Sequence, residues 1–600
     1  MAALPEFQLD DVPIDIDALS ALNHDTDEED TMSAEDQNLD EFLRAHGFRL
    51  ANQGTTRFWP RQLVWDLLTR ERVEREMQSL GVENYLDYVR PAQIPSAVPP
   101  KKTYLVIFAI LVLVDKANLI SEFVKEELCD HDLPLFMLDK GDGKVRLRRQ
   151  GNRDQELKCL KSWRPAALDS FIAKQRQFTV HRFELDHDNK AQHYQLDEDT
   201  IFPWTQERKA SKSFSGGYAD VRIVKIDRHY HNFDRVLDGL GIQGDEFALK
   251  TLHSNGLNNA AKFRNELDQL KRFGGLVHKN LITLLATYEI SSQYHFLFPK
   301  ANQNLEDYWE YKIPTSLDLD FVRWVARQCA GIVRAISIIH DPTHLQGEKK
   351  YGRHGDIKPD NILWFSTNED PRGLLVVADM GLSSFNRDTS RSNIPNEKIP
   401  GVPGYRPPEC DVKDAKVSRA FDIWTLGCLF MEFMAWCLGG KELRDKFEED
   451  RQTIYITGGI NNIFFGVLKH KDHVLYAAQV KPAWFSKLHN HPNCTGFIRD
   501  VLDVIEKTML VVLSKDRVRA TSKELDINFS EIYSKAIRDE AYCTRPLHQS
   551  RQVLSTPEVR LDLNPIAQRT INERKPALSE FVGQPEEPLA GTEMESMDIS

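Results

Sequence analysis

The first two hundred residues show the apolar spacing that is typical of helices. Between Leu43 and Val89, apolar side chains recur every three or four positions, which is the period of one helix face. Prolines at residues 91–100 interrupt this pattern, and the apolar segment Tyr104–Val124 then predicts a buried helix. We therefore expect a small, mostly helical N-terminal extension over residues 41–200. The apolar positions of its first part include Val64, Leu67, Leu68, Val73, Met77 and Leu80.

The apolar pattern changes near residue 205. Short apolar runs at Val221–Ile226 and Phe247–Lys250 predict strands, and a helical spacing follows at about 258–273. From about residue 317 onward, long helical patterns dominate. This order of elements predicts an α+β domain over residues 205–535.

The composition of both ends of the chain predicts disordered tails. Residues 1–40 contain thirteen Asp or Glu and no Lys or Arg, so this segment alone accounts for the net charge of −13. The remainder is formally neutral and carries no basic surface typical of nucleic-acid binding. Residues 545–600 are polar with recurring prolines, which indicates a second disordered tail.

Cysteines and apolar runs bear on the cellular compartment. The eight cysteines stand singly, with no CxxC pair, which fits a reducing compartment. No secretory signal is evident at the N-terminus, and the longest apolar run, Tyr104–Val114, is too short to span a bilayer. We expect an intracellular protein, cytoplasmic or nuclear, that does not engage a membrane.

The chemistry is concentrated in the segment His354–Asn361, whose sequence is HGDIKPDN. It places a carboxylate, an ammonium and a carboxamide on one short loop, and Asp379 adds a second carboxylate after the apolar strand 374–378. One carboxylate can accept a hydroxyl proton, while the amide and the other carboxylate can hold Mg²⁺. The competing interpretation, a helix-capping Asp in a polar turn, leaves the other groups unexplained.

This loop resembles the catalytic loop of eukaryotic protein kinases, in the D-x-K-x-x-N form of the serine/threonine kinases. The resemblance implies a bilobal fold, with a small β-rich lobe and a larger helical lobe, that uses ATP and Mg²⁺ on a protein substrate. It implies that Asp356 is the base, that Lys358 contacts the transferring phosphate, and that Asn361 and Asp379 hold the metal.

Other kinase motifs follow in the required order. Phe247–Lys250 is similar to the V-A-I-K strand, which makes Lys250 the candidate phosphate-binding lysine and Glu266 its partner on the next helix. Alone, the two would be read as a surface lysine and a solvated glutamate. The nucleotide-binding residues that the resemblance implies are Gly216, Gly217, Val221, Ala248, Lys250, Glu266 and Leu363.

Downstream motifs extend the resemblance through the larger lobe. Pro407–Glu409 resembles A-P-E, and Asp422–Gly427 resembles the start of the helix that supports the catalytic loop. Arg519 matches the buried arginine that is expected to pair with Glu409. These residues have structural roles in the family.

Several positions depart from the kinase pattern. The glycine loop at residues 213–221 matches G-x-G-x-x-G-x-V poorly, since Phe214 and Ala219 replace two of its glycines. Gly355 replaces the arginine that gathers an activation-loop phosphate, so the loop is of the non-RD type. Met380 replaces the usual Phe. Val402 replaces a threonine that bonds toward the catalytic Asp and Lys.

These departures keep a second hypothesis open, in which the chain is a pseudokinase that acts as an ATP-binding or scaffolding protein. The helical extension, which resembles those accompanying fungal kinase-like proteins, would then bind a protein partner. Two minor candidates have plain competing interpretations. The set His489, His491 and Cys494 is either a metal site or a solvated loop, and residues 144–149 are either a nuclear signal or a basic turn.

Overall fold

The computed structural model of the chain contains two large hydrophobic cores. One lies in the N-terminal helical part and the other extends through the sheet and the C-terminal helices. The structure describes residues 38–51, 55–92, 102–138, 146–149, 156–210, 219–252, 259–273, 277–312, 317–342, 351–379, 384–386, 394–395, 404–410, 412, 416–454, 460–470, 473–477, 482–547 and 559–560.

The N-terminal part is mainly helical, as its apolar spacing predicts. Side chains at the helix starts satisfy free backbone N–H groups: Asn38 accepts from Asp40, and Thr69 accepts from Arg72. Two short antiparallel pairs, Phe48–Arg49 with Arg57–Phe58 and Phe136–Leu138 with Arg146–Arg148, accompany the helices. The α-helices are Leu39–His46, Arg61–Leu67, Arg70–Ser79, Leu86–Val89, Leu105–Leu113, Ile120–Lys125 and Pro165–Phe178.

The single helix predicted over Tyr104–Val124 is wrong in its length. The structure has one helix at Leu105–Leu113, with every residue buried, and a second at Ile120–Lys125. Between them Asp115 adopts a left-handed conformation with φ +54°, which aspartate tolerates better than most residues and which ends the first helix. The apolar content predicted burial correctly but did not reveal this break.

A six-stranded sheet forms the next layer, and it contains the predicted strands at 221–226 and 247–250. Five of its strands form antiparallel pairs, whereas the outermost strand is parallel to its neighbour. The predicted helix at 258–273 is confirmed as Asn259–Arg272. In spatial order the strands are Gln192–Gln195, Ala286–Ile290, Gln293–Pro299, Glu246–Leu252, Ala219–Ile226 and Trp204–Lys209.

Gln192–Gln195, which we call the edge strand, corrects the predicted domain boundary. It lies within the range 41–200 that the sequence assigned to a helical extension, so the sheet begins before residue 205. Its residues are Gln, His, Tyr and Gln, and they lack the apolar alternation by which a strand is recognised. Backbone pairing with Ala286–Ile290 defines the strand instead.

The C-terminal part is built around long helices. By length and composition alone, Ala420–Arg451 could cross a membrane, and it is the one such helix among the described residues. Its apolar window is completely buried inside the fold, as expected of a core helix. The α-helices of this part are Leu305–Tyr311, Leu319–His340, Ala420–Arg451, Pro482–His489, Gly496–Val504, Ser522–Arg538 and Glu540–Thr544, with a π-helical turn at Ile505–Met509. A further helix, Asp234–Leu240, lies between two strands of the six-stranded sheet, in residues 227–245, which we call the insertion.

Short elements complete the fold. A three-stranded sheet, in the order Gln303–Asn304, Ile362–Phe365 and Leu374–Val377, lies under the catalytic-loop segment. The 3₁₀ turns are Glu83–Tyr85, Ala117–Leu119, Asp130–Asp132, Lys158–Leu160, Arg228–Tyr230, Pro359–Asn361 and Pro408–Cys410. The remaining strands are Tyr351–Arg353, Ser384–Asn386, Ile394–Pro395, Lys416–Val417, Thr453–Ile454, Ile460–Asn461, Gly466–His470, His473–Ala477 and Val559–Arg560.

The predicted tails lie mostly outside the described residues. Of the range 1–40, the structure describes only the last three residues, and the helix that begins at Leu39 includes two of them. The range 545–600 is not entirely without structure, because Val559–Arg560 pairs with the strand His473–Ala477. A short strand in a polar, proline-rich sequence has no local signal, since its partner is some eighty residues away along the chain.

The helical extension packs directly on the six-stranded sheet. The backbone N–H of Ala51 donates to the carbonyl of Trp204 (2.8 Å), and the Phe58 ring meets the edge of Tyr230 at 5.5 Å. Phe58 belongs to the core of the sheet, whereas the adjacent Trp59 belongs to the core of the extension and stacks on Phe178. Two consecutive residues, at and directly after the end of the strand Arg57–Phe58, therefore join the two cores.

Acidification should weaken the region where the extension meets the sheet. Burial lowers the pKa of His181 to about 4, whereas an unfolded histidine titrates near 6.5, at about its ordinary value. Between these pH values the unfolded chain binds a proton that the folded chain does not, so stability falls as pH decreases. His181→Phe keeps an aromatic ring against Phe183 and Tyr194 but cannot titrate. Between pH 7 and pH 5, urea unfolding should show the wild type losing about 2 kcal/mol more than this variant. Equal losses would contradict a neutral, partly buried His181.

Candidate active site

Asp422 fixes the backbone of the catalytic loop, residues 354–361. Its carboxylate accepts hydrogen bonds from the backbone N–H groups of His354 (2.7 Å) and Gly355 (2.8 Å). His340 Nε2 lies 2.8 Å from the same carboxylate. Gly355 has φ +84°, a conformation that glycine adopts at little cost. The loop therefore leaves its preceding strand in a defined direction.

The side chains of Asp356 and Asn361 are locked together. The Asn361 amide Nδ2 donates to the carboxylate Oδ2 of Asp356 and to its backbone carbonyl, each at 2.8 Å. Lys358 Nζ lies 3.4 Å from the same Oδ2. The other carboxylate oxygen, Oδ1, is buried and has no hydrogen-bond donor among the described residues. Asp356 thus has one oxygen held in place and one available as an acceptor.

Asp379 is brought beside this loop by the strand that precedes it. The Ala378 N–H donates to the carbonyl of Asn361 (2.9 Å), and His354 Nε2 lies 3.0 Å from the Ala378 carbonyl. Asp379 itself has φ +59°, which is uncommon outside glycine, and its side chain is about half exposed. The strand end therefore presents this carboxylate to the opening between the sheet and the helices.

Lys250 connects the six-stranded sheet with this loop region. Its Nζ lies 2.8 Å from Glu266 Oε1 and 3.2 Å from Asp379 Oδ1. Burial alone would lower the pKa of Lys250, but the charges of Asp379 and Glu266 outweigh that effect and raise it. Lys250 is therefore a cation at every physiological pH.

The oxygen donors present suit Mg²⁺. Asp379 offers a carboxylate, and Asn361 can offer its carbonyl Oδ1, because its Nδ2 is engaged with Asp356. Mg²⁺ prefers such oxygen ligands and is commonly bound through one or two carboxylates together with substrate phosphates. The fit rests on the chemistry of these two donors and on their adjacent positions at the strand end.

The other predicted nucleotide-binding residues that the structure describes lie on strands of two sheets. Val221 is directly opposite Lys250, and Ala248 is opposite both Ile223 and Phe298. Leu363 follows Asn361 by two residues in the strand Ile362–Phe365. The structure therefore brings together Lys250, Glu266 and Asp379, and also Asp356, Lys358 and Asn361. It places Val221 and Ala248 beside Lys250 in the sheet, and Leu363 two residues after Asn361. Gly216, Gly217, Met380 and Val402 lie outside the described residues.

The family comparison agrees with this geometry. Residues 233–508 match the family model described as "Protein kinase domain". This part of the chain is a eukaryotic-type protein kinase domain. The six-stranded sheet, of which three strands lie before residue 233, and the Asn259–Arg272 helix form the small lobe, and the long C-terminal helices form the large lobe. The predicted α+β bilobal fold is thus confirmed.

The kinase domain also has distant curated relatives. The chain is 27% identical over 223 residues to the G-type lectin S-receptor-like serine/threonine-protein kinase SD1-1 of Arabidopsis thaliana, covering 36% of this chain and 25% of that protein. It is 29% identical over 177 residues to cyclin-dependent kinase 14 of Homo sapiens, covering 29% and 34%. The chain spans about a third or less of the length of each.

A buried ion pair connects Arg519 with Glu409. Arg519 Nη1 and Nη2 donate to the two carboxylate oxygens of Glu409 at 2.6 and 2.9 Å. The arginine also donates to the carbonyls of Val511 and Ala420, and its guanidinium lies over the Trp424 ring. Its side chain is fully buried. Sequence order predicted this pair correctly.

Sequence reasoning missed the role of His340. The histidine ends the helix Leu319–His340 and is buried against Asp422, which holds the kinase catalytic loop. Burial alone would raise the pKa of Asp422, but the hydrogen bond and charge of His340, with the charges of His354 and Arg353, lower it. No local signal marks His340, because its partner is 82 residues away.

The minor candidates look different in the structure. His489 lies near Asp503 and Glu506, at 3.6 and 3.8 Å, and these three form a possible metal-ligand group among the described residues. His491 and Cys494, which the sequence analysis placed with His489, are not part of this group. In the basic run 144–149, residues Arg146–Arg148 form a strand in which Leu147 and Arg148 are buried.

Proposed function

We propose that the chain is a serine/threonine protein kinase that transfers the γ-phosphate of ATP to hydroxyl groups of protein substrates. The observation that carries the proposal is the arrangement around Asp356. One of its oxygens is held by Asn361, and the other is an acceptor with no donor among the described residues. A carboxylate held in this way can accept the proton of an attacking hydroxyl.

The remaining groups of the site would neutralise the negative charge of the ATP phosphates. Lys250, oriented by Glu266, would neutralise the α- and β-phosphates of ATP. Asn361 and Asp379 would hold Mg²⁺, which offsets the negative charge on the β- and γ-phosphates when it is bound. Lys358, beside Asp356, would contact the phosphoryl group in transfer. Phosphoryl transfer depends mainly on such positioning and charge stabilisation.

The proposed reaction balances with these groups alone. The hydroxyl oxygen of Ser or Thr forms a bond to the γ-phosphorus, and the bond from that phosphorus to the β,γ-bridging oxygen breaks. The hydroxyl proton passes to Asp356, and ADP leaves with the bridging oxygen. The preference for Ser and Thr is supported by the D-x-K-x-x-N form of the loop and by the similarity to the serine/threonine-protein kinase of Arabidopsis thaliana.

The second candidate function is a pseudokinase that binds ATP without transferring phosphate. Its support is the poor glycine loop, of which the structure describes only residues 219–221, and Val402, which lies outside the described residues. An assay with ATP, Mg²⁺ and a Ser/Thr peptide substrate separates the two functions. The active-kinase proposal expects transfer by the wild type and its loss in Asp356→Ala and Lys250→Met. Equal signals in all three proteins would reject the proposal, and binding of ATP without transfer would favour the pseudokinase.

We further propose that activity does not require activation-loop phosphorylation acting through position 355. Gly355 has no side chain that could bind such a phosphate, and both its left-handed backbone and its hydrogen bond to Asp422 are already in place. Replacing every Ser and Thr between residues 381 and 400 by alanine should therefore leave kcat within about threefold of wild type, that is within about 0.7 kcal/mol of barrier. A steady-state assay of this variant tests the idea, and loss of activity would contradict it. The five residues are Ser383, Ser384, Thr389, Ser390 and Ser392.

A further inference from the structure

The edge strand, Gln192–Gln195, is an addition to the small lobe from the N-terminal side of the chain. It runs parallel to Ala286–Ile290, with His193 opposite Thr287 and Tyr194 opposite Tyr288. The Leu196 N–H extends the pairing by donating to the Glu289 carbonyl at 2.9 Å. It is the outermost strand of the sheet on this side.

The edge strand contacts the helix that carries Glu266. The ring of His193 lies 5.4 Å from the ring of Phe263, which is almost fully buried. Phe263 also stacks on Tyr294 at 4.1 Å and contacts Phe296 at 5.1 Å, so aromatic rings of the edge strand and the sheet surround it. His193 Nδ1 lies 3.0 Å from Thr287 Oγ1, which fixes the orientation of its ring.

Phe263 and Glu266 lie on the same helix. They are three residues apart in the helix Asn259–Arg272, and such residues lie on neighbouring positions of one helix face. Glu266 is buried, and its Oε1 accepts a hydrogen bond from Lys250 Nζ at 2.8 Å. A displacement of the helix away from the sheet would lengthen that contact. The packing around Phe263 therefore bears on the position of Glu266 relative to Lys250.

Hydrogen bonds hold the segment that leads into the edge strand, residues 183–185, and connect the edge strand to it through Tyr194. Leu185 is bound through its N–H and its carbonyl by the side chain of Asn232, at 2.7 and 3.1 Å. The Phe183 N–H donates to the Tyr230 carbonyl at 2.8 Å. The Tyr194 hydroxyl accepts from the Glu184 N–H and donates to the Glu184 carbonyl. The segment is thus fixed to the insertion near 227–245 as well as to the sheet.

We propose that the edge strand is a built-in clamp that holds the Glu266 helix in its working position, with His193 as the positioning residue. The inference rests on the proposed kinase function, because the Lys250–Glu266 pair matters for catalysis only if the chain transfers phosphate. The clamp belongs to the chain, so no activation-loop phosphate or separate partner is needed to seat the helix. This agrees with the glycine at position 355.

Two measurements on the full chain test the clamp: amide hydrogen exchange in the helix Asn259–Arg272 and kcat/KM for ATP. His193→Ala removes the ring contact and should accelerate exchange in this helix at least tenfold, because the helix then separates more often from the sheet. It should lower kcat/KM by about 10- to 100-fold, since small misplacements of catalytic groups have effects of this size. His193→Phe keeps a ring against Phe263 and should restore both values to near wild type.

His187→Ala is the matched control, because His187 lies in the same segment and its side chain is 89% exposed. It should change neither measurement. Exchange in Ser522–Arg538, in the large lobe, should be the same in all four proteins. Unchanged exchange of the Glu266 helix in His193→Ala would overturn the clamp, and so would a failure of His193→Phe to restore it. A wild type without phosphoryl transfer would reject the proposed function alone, since the exchange measurement does not depend on it.

Discussion

Asp356→Asn should lower kcat by about 10²- to 10⁴-fold, the usual contribution of a general base. Asparagine has the same shape, and its carbonyl oxygen can still accept the hydrogen bond that Asn361 donates to Oδ2 of Asp356. The loop also keeps its attachment to Asp422, which involves backbone N–H groups only. The amide, however, cannot take a proton from the substrate hydroxyl. The expected loss is therefore in the chemical step, with little change in the melting temperature.

Asp360→Asn is the matched control for this prediction. Asp360 is an exposed carboxylate on the same loop, in the turn Pro359–Asn361. Its replacement removes the same charge four residues away, and kcat should stay within about twofold of wild type, less than 0.5 kcal/mol of barrier. Steady-state kinetics with saturating ATP and peptide measure both variants. If the two variants lost activity equally, the effect would come from the net charge of the loop and not from a base at position 356.

Arg519→Met should destabilise the large lobe by about 3–5 kcal/mol. The substitution leaves the Glu409 carboxylate buried without the two hydrogen bonds that Arg519 now donates to it. Two backbone carbonyls, those of Val511 and Ala420, lose their arginine donor as well. A buried charge without its partner is costly because it has left water and gained nothing in return. Denaturant unfolding of the full chain, followed by tryptophan fluorescence, measures the loss.

A surface pair provides the comparison for Arg519. Lys279 Nζ lies 2.7 Å from Glu369, and both side chains are about half exposed. Lys279→Met should therefore cost no more than about 1 kcal/mol, because exposed ion pairs contribute little in water. A similar loss in the two variants would mean that the Glu409–Arg519 pair is no more important than a surface contact.

The parts of the kinase domain that could be predicted from the sequence are those with a local pattern. The catalytic loop is eight contiguous residues, and the Lys250 strand and the Glu266 helix each have their own apolar period. The resemblance to the kinase motifs predicted that Glu266 pairs with Lys250, whereas the contact of Lys250 with Asp379 was not predicted. In the structure, 129 residues separate Lys250 from Asp379, and their side chains are 3.2 Å apart.

Features that depend on distant backbone pairing were not predicted. The edge strand has no apolar alternation, so only its partner Ala286–Ile290 reveals it. The strand Val559–Arg560 is a similar case within a proline-rich tail. The contact of His340 with Asp422 also lacks a local signal. Each of these features depends on a partner that is far away in the sequence, so the local sequence pattern does not reveal it.

The most direct test of the proposed kinase activity is mass-spectrometric detection of phosphate on a degenerate peptide library. The wild-type chain and the Asp356→Asn variant would each be incubated with ATP and Mg²⁺ under identical conditions. The arrangement of Asp356, Asn361, Lys250 and Asp379 predicts phosphate on Ser and Thr hydroxyls with the wild type and almost none with the variant. Phosphate at the same level in both proteins, or in neither while ATP binds, would contradict it.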